Sequence, residues 1–300
     1  MSTLSWAGRV LFSLFSPMRG LPLSAARVIT RARKDQRMPR SHVHIQRNTN
    51  RRRYSQNFLT DTGVAHRMVR LAGVTDSDHV IEIGHGDGVL TRAIAQHAES
   101  VVAYEIDPSL SRRLRQRYRD DPYVRCVNRD FLSTSPPRSE FVVVANIPYA
   151  ATSGIVRWCL HASTLRSATL LTQLEYARKR TGYYGRWTKV TVASWPTMSW
   201  DLCGIVGRQK FRPVPRVDSA VLQLSRRRDS LLPMREHANY RKFVELGFSG
   251  LGGSLQSSLS RRYRTKAVAG AFRACGLHPR TVVGYVHPRD WLKLYRQLAM

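Results

Sequence analysis

The sequence predicts an α/β protein, in which a largely parallel, doubly wound sheet is followed by a small all-α domain. Between residues 77 and 225, short runs rich in β-branched residues alternate with segments of helical length, as in sheets covered by helices. Two later runs in this part have no helix between them, as expected of an antiparallel pair at one edge. With 300 residues, 42% of them hydrophobic, the chain can form one sizeable domain and a smaller one.

The chain divides into three regions by composition and periodicity. Residues 1–53 hold twelve Arg or Lys and one acid, and we interpret them as a basic, disordered extension. The apolar, Ser-rich first part is compatible with an organellar transit peptide, an amphipathic surface helix or a spurious upstream extension. Residues 54–228 contain the predicted sheet. Residues 229–300 show a helical period and form the small basic domain.

The charge balance favours a polyanionic partner. Lys and Arg number 49 against 20 Asp and Glu, a net charge of +29, and all but seven of the basic residues are Arg. Guanidinium groups bind phosphate oxygens bidentately and stack on bases, so nucleic acid is favoured over an anionic membrane. A GC-rich genome could explain the preference for Arg over Lys, but it does not explain the shortage of acids.

Cysteine spacing and hydropathy indicate a reducing, aqueous compartment. The four cysteines are far apart and form no CxxC pair: Cys126, Cys159, Cys203 and Cys275. This spacing disfavours a zinc site and a disulfide framework. No apolar run reaches the roughly 18 to 20 residues of a membrane-spanning helix. We therefore expect a cytoplasmic protein with neither a metal nor a membrane partner.

The stretch IEIGHGDGVLT places a glycine-rich turn after the first long strand. Gly84, Gly86 and Gly88 allow a tight turn and a close approach of the backbone to a nucleotide-like ligand at a helix start. The G-x-G-x-G spacing, in place of G-x-G-x-x-G, favours S-adenosylmethionine over a nicotinamide cofactor. An ordinary glycine-rich strand–helix turn is the alternative.

Carboxylates follow the next two strands. Glu105 ends the second strand and could accept hydrogen bonds from both ribose hydroxyls, and Asp130 follows the third and could accept one from the adenine amine. Phe131 could pack on the adenine ring. Either carboxylate alone could be a surface residue, but together with the glycines they predict an adenosine site at the carboxyl edge of the sheet.

The fourth strand ends in Asn146, Ile147, Pro148 and Tyr149. An exocyclic adenine amine is a poor nucleophile because its lone pair is delocalised, so a methylating enzyme must accept hydrogen bonds from its N–H groups. The Asn146 side-chain oxygen and the Ile147 carbonyl could be these acceptors, since Pro148 restricts the residue before it. Tyr149 offers a ring on which an extruded base could stack. The product could lose its proton to water, so no strong general base is required.

A polar segment precedes the sheet. Gln56 and Asn57 come just before an apolar helix pattern. Phe58 and Leu59 could close over the methionine end of the cofactor. A helix-capping role accounts for this segment equally well on chemistry alone.

In their order along the chain, these motifs resemble those of the rRNA adenine N6-methyltransferase family. They are QNFL, EIGHGDGVLT, EID, RDFL, NIPY and FRPVPRVDSAVLQL, and the match covers about residues 54–300. The Ile of NIPY, the stretch QLEYARKRTGYYGRW and the short basic helical tail resemble the erythromycin-resistance (Erm) branch. Within that branch, the chain is most similar to members from high-GC actinobacteria.

The resemblance implies a Rossmann-like, S-adenosylmethionine-dependent methyltransferase, with residues 54–228 catalytic and residues 229–300 binding RNA. The cofactor contacts that it implies are Asn57, Leu59, Gly84, Glu105, Asp130 and Asn146. Tyr149 and Phe211 would hold the target adenine between them. The implied activity of this monomer is methyl transfer to N6 of one adenine of 23S rRNA in the peptidyl-transferase region, with macrolide, lincosamide and streptogramin B resistance as the result.

Two other functions stay open at this point. One is a small-subunit rRNA adenine dimethyltransferase of ribosome biogenesis, which would be organellar if residues 1–37 are a transit peptide. The other is a catalytically silent RNA-binding assembly factor, against which an intact NIPY motif and cofactor constellation argue. The sequence does not distinguish the addition of one methyl group from that of two.

Overall fold

The structure is a computed structural model that describes residues 57–250 and 254–300. The extension predicted for residues 1–53, and Gln56 of the polar segment, lie outside the described residues. Within the described ranges, no helix combines the length and hydropathy that crossing a bilayer requires. The same ranges contain no cluster of three or more His, Cys, Asp or Glu side chains suited to a metal ion.

A sheet with helices on both faces forms the larger part of the fold. The strands are β1 (Phe58–Leu59), β2 (His79–Ile83), β3 (Ser100–Glu105), β4 (Val124–Asn128), β5 (Phe141–Asn146), β6 (Leu165–Gln173), β7 (Met198–Val206), β8 (Phe211–Arg212) and β9 (Ser219–Arg226). The helices are α1 (Thr62–Ala72), α2 (Val89–Ala95), α3 (Pro108–Arg117), α4 (Thr152–His161), α5 (Leu174–Arg180), α6 (Lys189–Ser194), α7 (His237–Gly247), α8 (Leu255–Ser260), α9 (Thr265–Ala274) and α10 (Pro288–Leu298).

The main sheet has seven strands in the order β4-β3-β2-β5-β6-β9-β7. The first five of these are parallel, whereas β9 is antiparallel to both of its neighbours, β6 and β7. The predicted α/β fold is therefore confirmed, including the antiparallel pair at one edge. Strands β1 and β8 form a separate two-stranded sheet.

Strand β5 is buried on both faces at the centre of the sheet. Val142 and Val144 pack into the core on the side of α1 and α2, and Val143 and Ala145 pack into the core on the side of α4. The unbroken apolar run FVVVA is typical of a strand that helices cover on both sides. This strand brings Asn146 to the carboxyl edge of the sheet.

The helices after β9 share a third hydrophobic core with α6, which lies earlier in the chain. The largest buried side chains of this core include Trp291, Tyr240 and Tyr295. Val192 of α6 is buried with them, and Trp187 packs against the same cluster. The boundary at residues 228 and 229 stays a prediction.

The loop between α1 and β2 is fixed to β6 by a buried carboxylate. Asp78 accepts hydrogen bonds from the Thr75 amide at 2.7 Å and the Thr75 hydroxyl at 2.9 Å. Arg166 of β6 lies 2.7 Å from each Asp78 oxygen, in a bidentate pair. Burial opposes the ionisation of Asp78, but the hydrogen bonds from Arg166 and Thr75 outweigh it and hold its pKa below the usual value.

We expect Asp78→Ala to lower the free energy of unfolding by about 2 to 3 kcal/mol at pH 7, because hydrogen bonds to a buried charge are lost. Since the pKa of Asp78 is depressed in the folded state, this contribution is present above pH about 4 and is lost as the pH falls through the folded-state pKa. Urea denaturation over a pH series measures both effects.

Glu140→Ala is the matched control, because Glu140 contacts the same guanidinium at 3.7 Å from an exposed position. Its expected effect is within about 0.5 kcal/mol, as for exposed ion pairs. Equal losses in the two variants would contradict a special role for the buried carboxylate.

Candidate active site

A cleft opens at the carboxyl ends of β2 and β5, where the strand order reverses. The chain adds β3 and β4 on one side of β2 and then places β5 on its other side. Segments that follow β2 and β5 therefore diverge, which is where open α/β sheets bind ligands. The cleft contains about 360 Å³ of space that is continuous with solvent, and it is lined by Asn57, Phe58, Gly84, Glu105, Asn146, Ile147, Pro148 and Tyr149.

A second, adjoining cleft lies over the glycine turn. It shares Phe58, Gly84 and Asn146 with the first cleft and is also lined by Leu59, Glu82, His85, Gly86, Asp87, Val89 and Leu90. The two clefts therefore adjoin at these three residues. Together they bring most of the sequence-predicted site residues to one edge of the sheet.

The glycine turn has a backbone that other residues adopt only with strain. Gly84, Gly86 and Gly88 have φ angles of 71°, 52° and 80°. At Gly86 the space is also closed, because an added Cβ would lie 2.5 Å from Cδ1 of Phe58. The absence of a side chain at Gly86 is what allows Phe58 to lie directly on the turn.

Glu105 connects this turn to the end of β3. Its Oε2 accepts a hydrogen bond from the Gly86 amide at 3.1 Å, and its Oε1 accepts one from the Asp107 amide at 3.0 Å. The residue is only 2% exposed, and burial raises the pKa of its carboxyl group against the effect of these bonds. Its carboxylate also lines the first cleft, beside Gly84. The ribose-binding role of Glu105 stays a prediction.

Two buried polar residues of the second cleft were missed by the sequence analysis. Burial raises the pKa of Glu82 to about 8, and its Oε2 has no hydrogen-bond partner among the described residues. Burial lowers the pKa of His85 to about 4, so its imidazole is neutral. His85 donates from Nδ1 to the Gly86 carbonyl at 3.0 Å, while its Nε2 has no partner in the described part of the chain. An acid inside the apolar run VIEI was the available signal for Glu82.

The NIPY segment is held in place from two directions. The Asn146 Nδ2 donates to the Asn57 carbonyl at 2.9 Å, which orients the amide and leaves its Oδ1 as an acceptor. Ile147 is buried, and Pro148 precedes the short turn that begins at Tyr149. The Tyr149 hydroxyl shares a hydrogen bond of 2.7 Å with Ser219 Oγ on β9. Burial raises the pKa of Tyr149, so the phenol stays protonated.

Phe211 and Leu59 face each other in the β1–β8 pair, and both are buried. Phe211 is only 1% exposed and lies in the core on the side of α1, and it is not among the residues that line the two clefts. The structure therefore does not bring its ring to the cleft beside Tyr149. The sandwich of the target adenine between the two rings stays a prediction.

Asp130 and Phe131 lie beyond β4, and neither lines the two clefts. Asp130 is exposed and accepts a hydrogen bond from the Leu132 amide at 3.0 Å, as the cap of a short turn. Phe131 is buried, with its ring centre 4.4 Å from that of Trp158. The contact of Asp130 with an adenine amine is untested, and the Phe131 ring packs inside the protein.

The sequence and the fold are similar to those of rRNA adenine methyltransferases. The family model described as ribosomal RNA adenine dimethylase matches residues 47–300. An rRNA adenine N-6-methyltransferase of Streptomyces fradiae is 50% identical over 250 residues, which are 83% of this chain and 78% of that protein. The mycinamicin-resistance protein MyrB of Micromonospora griseorubida is 33% identical and covers 82% of this chain and 78% of its own length.

The crystal structure of the 23S rRNA methyltransferase ErmE superposes with a TM-score of 0.78. Its sequence is 44% identical, and the match covers 81% of this chain and all of the ErmE chain. Sequence and fold similarity therefore extend over both the cleft and the helices that follow the sheet.

Gly86→Ala should lower the affinity for S-adenosylhomocysteine by about tenfold or more, because the new methyl group displaces Phe58 from the turn. Gly73→Ala is a matched control at the end of α1. Gly73 has a similar φ of 62°, but a Cβ there would meet no described atom within 4 Å. Both variants should lose about 1 kcal/mol of stability from the left-handed backbone. Isothermal titration calorimetry would contradict the contact with Phe58 if both variants bound alike.

Proposed function

The chain belongs to the ribosomal RNA adenine dimethylase family and is an rRNA adenine N6-methyltransferase, and we propose that its target is one adenine of 23S rRNA in the peptidyl-transferase region. The match to the 23S rRNA methyltransferase ErmE, which spans the whole ErmE chain, supports the large-subunit target over the small-subunit one. The match to a mycinamicin-resistance protein supports macrolide, lincosamide and streptogramin B resistance as the outcome. Methylation of N6 removes an N–H donor and adds bulk where such drugs would bind.

The orientation of the Asn146 amide is the observation that carries the chemistry. Its Nδ2 is engaged by the Asn57 carbonyl, so the acceptor Oδ1 is the atom left for a ligand in the cleft. An acceptor at this position can bind an adenine N–H and draw the amine out of conjugation with the ring. That interaction strengthens as the nitrogen becomes tetrahedral, so it favours the transition state over the ground state. The Ile147 carbonyl would be the second acceptor.

Tyr149 supplies the surface for the extruded base. Its side chain lines the cleft, and the Ser219 hydroxyl fixes the far end of the ring. Because the phenol is already held in position, it loses little conformational entropy when a nucleobase stacks on it. Burial keeps the phenol protonated. The Tyr149 ring therefore contributes a stacking face and does not act as a proton acceptor.

The residues around the glycine turn fit S-adenosylmethionine. Gly84 lines both clefts, and the Glu105 carboxylate, bound to the Gly86 amide at 3.1 Å, lines the first of them, where it would meet the ribose. When bound, the cofactor supplies the electrophilic methyl group. Asn57, Leu59 and Asp130 would complete the set of cofactor contacts.

The helices after β9 would bind the RNA. From Arg226 to the end, the chain has fifteen basic residues against four acids. Such a surface attracts phosphates at long range and orients the substrate on the cleft. We assign the RNA-binding domain to residues 229–300 and the catalytic domain to residues 54–228. The protein would act as a monomer in the cytoplasm, where its rRNA substrate is.

Labelled S-adenosylmethionine should transfer its methyl group to naked 23S rRNA and not to 16S rRNA. Asn146→Ala should abolish the transfer, with a loss of at least about 100-fold in kcat, while RNA affinity stays nearly unchanged. Scintillation counting of each rRNA measures the first result and filter binding the second. Methylation of 16S rRNA alone would identify a small-subunit enzyme, and near-normal turnover by the variant would overturn the role of Asn146.

Tyr149→Ala should lower kcat/KM by about 5- to 150-fold, because a base–aromatic stack contributes roughly 1 to 3 kcal/mol. Tyr149→Phe keeps the ring and loses only the bond to Ser219, so its loss should be about fivefold or less. Ser219→Ala removes the same bond from the other side and should match the Phe variant. If Tyr149→Phe loses as much kcat/KM as Tyr149→Ala in steady-state assays, the hydroxyl and not the ring makes the main contribution of Tyr149.

A further inference from the structure

A second group of aromatic and basic side chains lies on the surface after helix α5. Tyr183 and Tyr184 are 60% and 48% exposed, although they are large side chains that usually bury most of their surface. Their ring centres are 5.3 Å apart in an edge-on arrangement. The Arg178 guanidinium lies 4.7 Å from the centre of the Tyr183 ring and 5.9 Å from that of Tyr184.

The rings are held in a defined position. The Tyr184 hydroxyl donates to Glu175 Oε2 at 3.0 Å and accepts from Arg178 Nη1 at 3.2 Å. The turn before the rings depends on Gly182, which has a φ of 69° and lies against Trp187, so that an added Cβ would be 2.4 Å from the indole. Trp187 in turn packs on the core of the helical part. A base that stacked here would therefore find a pre-organised surface.

This group follows, in the chain, the strand that ends beside the residue holding Tyr149. Gln173, the last residue of β6, pairs with Ser219, whose hydroxyl holds Tyr149. Helix α5 begins at the next residue, Leu174, and its seven residues span about 10 Å. Tyr183 follows shortly after the end of this helix. One short helix and a turn therefore connect the end of β6 to Tyr183, and the Tyr184 hydroxyl bonds back to Glu175 in the first turn of that helix.

We propose that Tyr183, Tyr184 and Arg178 form a second nucleobase-stacking site, which binds an unpaired base near the target adenine. This inference rests on the proposed function, because extruding one base leaves its neighbours without a stacking partner. Exposed aromatic faces beside guanidinium groups bind single-stranded bases with little sequence preference. The charge of the segment favours RNA over a protein partner, since Arg178, Lys179, Arg180 and Arg186 are near one acid, Glu175.

The test compares RNA binding by the full-length protein and by Tyr183→Ala. The probes are a 23S rRNA transcript with the target adenine in an unpaired region and a fully paired RNA duplex of equal length. Tyr183→Ala should weaken binding of the transcript by about 5- to 150-fold, and the duplex should be bound as by the wild type. Because the side chain carries no charge, the slope of log Kd against log salt should stay the same.

Two control variants separate stacking from other effects. Tyr183→Phe keeps the ring and should bind the transcript like the wild type. Tyr123→Ala removes a tyrosine that is 39% exposed just before β4, at the opposite edge of the sheet, and should also leave the affinity unchanged. In Tyr183→Ala, KM for RNA should rise while kcat at saturating RNA stays within about threefold.

Unchanged affinity of Tyr183→Ala for the transcript would overturn the stacking site and would instead indicate a surface for a protein partner. Equal losses on the transcript and the duplex, or a reduced salt slope, would overturn it in favour of a phosphate contact. Failure of the wild type to methylate either rRNA would remove the proposed function. The binding comparison would still decide on the stacking site in that case.

Discussion

The contact between Phe58 and Gly86 determines how the cleft is built. Since Gly86 has no side chain, the Phe58 ring can lie on the turn and β1 can pair with β8. That pairing places the Asn57 carbonyl within 2.9 Å of the Asn146 amide, 89 positions further along the chain. The Asn146 amide is thus oriented by a segment that lies outside the main sheet, and one absent Cβ makes this arrangement possible.

The main sheet and much of the cleft could be predicted from local sequence. The alternation of strands and helices is a local pattern, and the glycine turn, Glu105 and Asn146 follow from where the strands end. The β1–β8 pair could not be predicted, because it joins two-residue strands that are far apart in sequence. For the same reason the burial of Phe211 was not foreseen. Local patterns also do not report which acids become buried, and Glu82 was overlooked.

The shortage of acids has a structural counterpart. Several of the acids are tied to internal positions: Asp78 binds Arg166, Glu105 holds the glycine turn, and Asp61 and Asp107 cap helices α1 and α3. Glu82 is buried in the second cleft. Acids used in this way contribute little negative charge to the surface of the described part of the chain.

Helix α6 packs in the core of the helical part, although it comes before strands β7 and β9 of the sheet in the chain. The chain contributes Trp187 and Val192 to the helical core, returns to the sheet for β7 and β9, and only then builds the rest of that core. The helical part is therefore encoded by two separate stretches of the gene. A natural recombination event with a single crossover near residue 228 would join one relative's α6 to another's helices. Exchange of the helical part between relatives by such an event thus requires either a second crossover or closely matched cores.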